Sequence, residues 1–313
     1  MLMTLGTGEA MTLAFLCPGQ GAQTPGFLHD LPDHPAVAET VREASHYLGF
    51  DVLDLDGAEA LRSTVAVQIA TVVASVATAR ALAADGVRPD MVAGLSVGSY
   101  SAAIIADAID FGDGLLLLHK RASLMAVAYP TGYGLAVVAG LTENSVRKLI
   151  AGSDQRAYIA NLNSPTEFVI SGAVTALLAV LAEARKFGAR RAELLDVAVP
   201  SHCPLLSAVA DELTEIAATI PMRSPAMIYI GNRRCRVLRD AAQVREELAT
   251  NLAFPVPWHD ATTLMQELGA EMFLELLPGN VLSGLARFSL PALKAVALQE
   301  LSLEQAVSMV GKI

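Results

Sequence analysis

Met91-Val92-Ala93-Gly94-Leu95-Ser96-Val97-Gly98 runs from an apolar stretch straight into a glycine-flanked serine, and residues 96–108 beyond it are rich in Ala and Ile. A short apolar run ending in a sharp turn that opens a helix reads as a strand buried within a sheet. The pattern G-x-S-x-G is that of a nucleophile elbow, where small flanking residues permit a strained turn that lifts the serine hydroxyl above the sheet. An ordinary strand-to-helix turn is the competing account, since short glycine and serine patterns arise by chance. The strand before and the helix after favour the elbow, so Ser96 is the candidate nucleophile. At a helix N-terminus the Val97 N–H is a candidate donor to an oxyanion.

Upstream, Leu13-Ala14-Phe15-Leu16-Cys17 reads as another short buried strand, which empties into Pro18-Gly19-Gln20-Gly21-Ala22-Gln23. Glycines on both sides let the Gln20 backbone approach a ligand, which makes its N–H the candidate second oxyanion donor. A polar helix ending near Tyr47, an Ala/Val helix over 63–84 and a helix over 114–128 stopped by Pro130 complete this half. The texture changes at Thr131-Gly132-Tyr133-Gly134. Strands at 135–139, 158–161, 168–171 and 192–197, with helices at 142–151 and 174–187, give the βαββαβ order of a ferredoxin-like unit. After Pro200 the α/β pattern returns, with helices at 205–219 and 258–267 and a strand at 272–276. The expectation is an α/β protein whose large domain, residues 1–130 and 200–313, carries a parallel sheet and an inserted ferredoxin-like small domain, residues 131–199.

The 313 residues are 53% hydrophobic and 17% charged, enough apolar content for a sizeable core. Val65 to Ala79 is uncharged but is interrupted by Gln68, Thr71, Ser75 and Thr78 and closed by Arg80, so it reads as a buried helix, with no membrane role. Residues 1–10 lack the basic region and apolar core of a secretory signal. Cys17, Cys203 and Cys235 show no paired spacing, which argues against disulfides and a zinc site and for a reducing, cytoplasmic setting. A net charge of −10 disfavours nucleic acid as a partner.

A serine hydroxyl needs a neighbouring base. His202, in the proline-bracketed loop Val199-Pro200-Ser201-His202-Cys203-Pro204 where the chain re-enters the large domain, is the best placed of six histidines. His259, beside Trp258, is its rival; the others read as solvent-facing or core residues.

With these residues assembled, the sequence resembles the malonyl-CoA:acyl carrier protein transacylase family from about Thr12 onward. The motifs that carry the resemblance are Cys17 to Gln23, the elbow Gly94 to Gly98, the loop Val199 to Cys203 and Leu277-Pro278-Gly279-Asn280-Val281-Leu282-Ser283-Gly284-Leu285. It implies an α/β-hydrolase-like large domain with the site in the cleft below the insertion, and a Ser96–His202 dyad with no third carboxylate. A backbone carbonyl near Trp258 would orient the imidazole; Pro257 stands where relatives often carry Gln or Asn. Arg121 matches an arginine that pairs with the malonyl carboxylate, a task suited to a guanidinium fork, and Gln68 resembles a glutamine lining the same pocket.

The implied chemistry needs no permanently bound cofactor: malonyl-CoA is the substrate and the phosphopantetheine-type thiol of an acyl carrier protein the acceptor. Leu95-Ser96-Val97, where the family commonly has His-Ser-Leu, looks like the malonyl transferase subunit of bacterial malonate decarboxylase, whose carrier subunit would then be the partner. Basic clusters at Arg185, Lys186, Arg190 and Arg191 and at Arg233, Arg234, Arg236 and Arg239 are candidate docking sites for an acidic carrier. The alternatives are the same transfer in fatty-acid synthesis, a serine hydrolase or thioesterase with Asp196 as third member, and a noncatalytic docking subunit.

Overall fold

The computed structural model describes residues 11–153 and 156–311; the reading of residues 1–10 lies outside the described residues. In chain order the elements begin with β1 (Leu13–Cys17), α1 (Pro35–Leu48), α2 (Thr64–Ala84), β2 (Met91–Gly94), α3 (Gly98–Ile105) and α4 (Phe111–Ala128). Then come β3 (Tyr133–Ala139), α5 (Glu143–Ala151), β4 (Ala157–Ser164), β5 (Glu167–Ala173), α6 (Val174–Lys186) and β6 (Arg191–Leu194). The last part holds α7 (Ser207–Ala217), β7 (Ile228–Ile230), β8 (Val237–Leu238), α8 (Ala241–Thr250), α9 (Trp258–Glu267), β9 (Met272–Glu275), α10 (Val281–Ser289), β10 (Lys294–Ala297) and α11 (Leu303–Gly311).

The larger sheet has the order β10-β9-β1-β2-β7-β8, parallel throughout except for the edge strand β8. All five residues of β1 are buried, as expected of a parallel strand covered on both faces. Its alternation divides them: Leu13, Phe15 and Cys17 join a core with α2, α3 and α4, whereas Ala14 and Leu16 join one with Trp258, Met265 and Phe273. The helix α2 is long and apolar enough to span a bilayer, but most of it is buried in the core, and Ser75 Oγ donates to the Leu277 carbonyl at 2.7 Å. In register, Cys17 lies beside Gly94 and Leu16 beside Glu275, so the 18–23 loop, the elbow and the 277–285 loop leave the sheet along one edge. Ligands of open parallel sheets bind along that carboxyl edge.

The smaller sheet, β4-β5-β3-β6, is wholly antiparallel. One face buries Ala136, Val138, Phe168 and Ile170 against α5 and α6; the other presents Leu135, Ala160 and Val169 with Leu195 and Val197. Main-chain bonds tie this sheet to the larger lobe, since Leu162 N–H donates to the Val256 carbonyl at 2.9 Å and Val256 N–H to Ala160 at 2.8 Å.

Several boundaries differ from the sequence reading. The fourth helix starts at Phe111 rather than 114, because Gly112 and Gly114 serve close packing: a Cβ on Gly112 would lie 2.4 Å from the Tyr47 ring and one on Gly114 3.0 Å from Ile104. Residues 96 and 97 precede the third helix, since Ser96 adopts φ +54°. The strand expected at 192–197 ends at Leu194, and Val197 turns back to donate to the Leu195 carbonyl.

Candidate active site

Three glycines hold the elbow in shape. A Cβ on Gly94 would lie 2.0 Å from the Gly98 carbonyl, one on Gly98 2.2 Å from the Cys17 carbonyl, and one on Gly19 2.8 Å from the Leu95 carbonyl. The motif thus welds the turn onto the 18–23 loop. Ser96 itself, at φ +54°, occupies the left-handed region, which costs a residue other than glycine about 1–2 kcal/mol. Its N–H donates to Asn232 Oδ1 at 2.7 Å, and the Gly98, Ser99 and Tyr100 amides bond back to the carbonyls of residues 95, 96 and 97. The Val97 and Gln20 N–H groups meet no acceptor among the described residues, and both residues border the cleft above Ser96.

His202 is buried, also at positive φ (+63°), and its Nε2 lies 2.6 Å from Ser96 Oγ. Its Nδ1 faces the carbonyl oxygens of Asn251 (3.0 Å) and Phe254 (3.1 Å). Two acceptors there assign the proton to Nδ1 and leave Nε2 with its lone pair toward the hydroxyl. Burial, with the Arg121 charge second, pushes the imidazole down to about 4, while the two carbonyl bonds oppose the shift. The His202 imidazole is therefore neutral across the physiological range.

The orienting carbonyls come from residues 251 and 254, which corrects the expectation of one near Trp258. The Pro257 carbonyl is taken by the Ala261 N–H at 3.0 Å as α9 begins, so the missing amide at 257 deprives His202 of nothing. Asp196 borders the cleft but is exposed and makes no bond to His202 among the described residues, so the Ser–Asp–His arrangement is not formed. His259 lies on α9 outside the cleft.

Arg121, on α4, is buried. Its Nη1 donates to Gln68 Oε1, and Gln68 Nε2 reaches Met125 Sδ at 3.8 Å. Its Nε and Nη2 have no partner among the described residues, and its guanidinium carbon stands 5.8 Å from the Tyr100 ring centroid. Burial lowers its pKa, because the charge has left water without gaining an anion. Arg121, Gln68, Gln20, Ser96, Val97 and His202 all line one cavity of about 390 Å³, roofed by the smaller sheet. Among the described residues no group of three or more His, Cys, Asp and Glu converges as metal ligands.

Sequence reasoning missed Asn232 and Asn251, which hold the serine and histidine segments. Only the isolated Gly231-Asn232 pair after a short apolar run marked the first, and nothing local marked the second.

An α/β fold that sets a serine against a neutral imidazole beneath a cleft with a buried guanidinium has the groups that acyl transfer requires. The chain belongs to the acyl transferase domain family, which it matches over residues 14–289. It is 38% identical over 295 residues to the malonyl CoA-acyl carrier protein transacylase of Escherichia coli strain K12, covering 92% of this chain and 96% of that one. The structure of the transacylase of that name from Coxiella burnetii superposes with a TM-score of 0.91 at 32% identity, covering 97% and 98% of the two chains. A malonyl-transacylase solved in complex with its type II PKS acyl-carrier protein gives 0.89 at 33% identity, covering 96% and 99%.

Proposed function

We propose that the chain moves a malonyl group from malonyl-CoA to the phosphopantetheine-type thiol of an acyl carrier protein, through a malonyl ester of Ser96. The observation that carries this reading is the buried Arg121 with two unpartnered nitrogens in the cavity that holds Ser96 and His202. A guanidinium so placed selects an acyl group that ends in a carboxylate. The Ser96 proton passes to His202 Nε2 as the oxygen adds to the thioester carbonyl, and the Val97 and Gln20 N–H groups receive the oxyanion. Collapse breaks the C–S bond, and the CoA thiolate takes the proton back from Nε2. The acceptor thiol then gives its proton to His202 and attacks the ester; the C–O bond breaks and the Ser96 oxygen takes that proton back from Nε2. Asn163, whose buried Oδ1 has no partner among the described residues, supplies an acceptor on the cleft's far wall for an amide of the pantetheine arm.

The relatives' names specify an acyl carrier protein as acceptor, which favours the ordinary carrier, as in fatty-acid synthesis. The malonate decarboxylase carrier retains the Leu95-Ser96-Val97 flank as its support. The two-lobe plan of a hydrolase-like domain with a ferredoxin-like insertion, and a cytoplasmic setting, belong to the same reading. Intact-mass measurement after brief exposure to malonyl-CoA tests it: a gain of one malonyl group, lost on adding carrier and abolished in Ser96→Ala, is expected. Steady CoA release without any acceptor would instead make the protein a thioesterase, and parallel reactions with the two carriers separate the two settings.

A further inference from the structure

The strained conformation of Ser96 needs something to hold it, and the holding group comes from a distant part of the chain. Asn232, buried just beyond β7, spans the elbow: its Oδ1 accepts from the Ser96 N–H at 2.7 Å, and its Nδ2 donates to the Gly94 carbonyl at 2.6 Å. Both bonds close on the two residues that flank Leu95, so the turn cannot relax without breaking them. Asn232 is itself fixed by Glu247, a buried carboxylate on α8 whose Oε1 accepts from the Asn232 N–H at 2.7 Å and whose Oε2 accepts from the Arg233 N–H at 3.3 Å. Gly231 lets that carboxylate close in, since a Cβ there would stand 2.8 Å from Glu247 Oε2.

The same helix leads to Asn251, whose carbonyl receives the His202 Nδ1–H and whose Nδ2 donates to Ser99 Oγ at 2.7 Å. One helix end therefore touches both halves of the serine–imidazole pair. We propose that Asn232, anchored by Glu247, is a positioning residue that holds Ser96 in its left-handed conformation so that Oγ faces His202 Nε2 and the Val97 N–H stays open toward the cleft. This rests on Ser96 being the nucleophile, not on malonyl-CoA being the substrate. With the clasp gone the Ser96 peptide can relax to negative φ, which carries the hydroxyl away from the imidazole; small misplacements of a nucleophile cost orders of magnitude in rate.

The test measures the labelling rate of Ser96 per folded molecule with a serine-directed alkyl fluorophosphonate, whose reaction forms a Ser–O–P bond and expels fluoride, alongside the acylation rate with malonyl-CoA and the affinity for CoA. Asn232→Ala is expected to slow both reactions about 100-fold while CoA affinity stays within about threefold. Asn232→Asp keeps the acceptor for Ser96 N–H but loses the donor to Gly94, and Glu247→Gln places an amide N–H against that of Arg233; each should slow labelling about 10-fold. Unchanged labelling per folded molecule in Asn232→Ala, even with a lowered melting temperature, overturns the proposal and leaves Asn232 a scaffold residue. If that variant does not fold, unchanged labelling in the other two overturns it equally. Wild-type enzyme that reacts with the phosphonate but not with malonyl-CoA would sink the transfer reading and leave the clasp standing.

Discussion

Arg121 and Glu247 are both buried charges of the larger lobe, and they are accommodated in opposite ways. Glu247 is closed off, with both oxygens accepting main-chain N–H groups. Arg121 spends one nitrogen on Gln68 and leaves two without partners among the described residues. Taking an ion out of water costs several kcal/mol unless hydrogen bonds and counter-charge replace the lost hydration. A buried charge whose bonds are complete reads as part of the scaffold, whereas one with donors left open fits the proposed role of receiving a charge that arrives from outside. The same contrast explains why Arg121 borders the cleft and Glu247 lies behind it.

Substituting each residue should separate these roles. Arg121→Met removes a socket: kcat/KM with malonyl-CoA should fall about 100- to 1,000-fold, with little change for acetyl-CoA, and thermal stability should hold or rise as an uncompensated cation disappears. Equal losses with both thioesters would mean that Arg121 does not select the carboxylate. Glu247→Ala removes a support, leaving two buried N–H donors unmet, and denaturant titration should show a loss of about 3 kcal/mol. A stable Glu247→Ala protein would erase the distinction between the two charges.

The two halves of the contrast meet at His202, because Arg121 is the second cause of its lowered pKa. In the proposed mechanism His202 accepts a proton only when neutral, so fluorophosphonate labelling should be flat across neutral pH and decline as pH falls through about 4. In Arg121→Met the repulsion is gone and the acid limb should move to higher pH. A wild-type limb at the ordinary imidazole position would show that His202 is not held as described. On the proposed reading, a malonyl carboxylate seated on Arg121 would act in the same direction as the substitution, cancelling the charge and making the imidazole a stronger base.

How far the sequence could be read follows the same line between local and distant causes. The elbow, the first strand and the βαββαβ order were legible because glycine spacing, apolar runs and helix stops are local signals. The strands Ile228–Ile230 and Lys294–Ala297 and the helix Ala241–Thr250 were not. Each is short, and their burial comes from packing against other elements, β7 on β2, β10 on β9 and α8 on α7 and α3, rather than from a pattern of their own. At the site, Ser96 and His202 could be named from their own surroundings. The carbonyls of Asn251 and Phe254 could not, because a backbone acceptor leaves no mark on residue identity; Asn232 and Glu247 matter only because β7 lies beside β2.

The smallest effect concerns the carrier, and it turns on the exposed ends of the same network. Around Glu246, the guanidiniums of Arg233, Arg234 and Arg236 lie at 2.6, 3.8 and 3.5 Å, leaving a surplus of positive charge. In the other basic cluster, by contrast, Lys186 and Arg191 each have their own glutamate. Arg233 is the wrong residue to reverse: it is mostly buried and stacks 3.8 Å above the Phe254 ring, whose carbonyl holds His202, so its loss should slow labelling of Ser96 as well. Arg234→Glu with Arg236→Glu touches only the exposed charge. Transfer to an acidic carrier should slow about threefold to tenfold at low ionic strength and recover the wild-type rate in high salt, while acylation by malonyl-CoA is untouched. Equal carrier kinetics at every salt concentration would remove this face from docking; slowed acylation would show that its arginines, like Arg233, serve the interior rather than a partner.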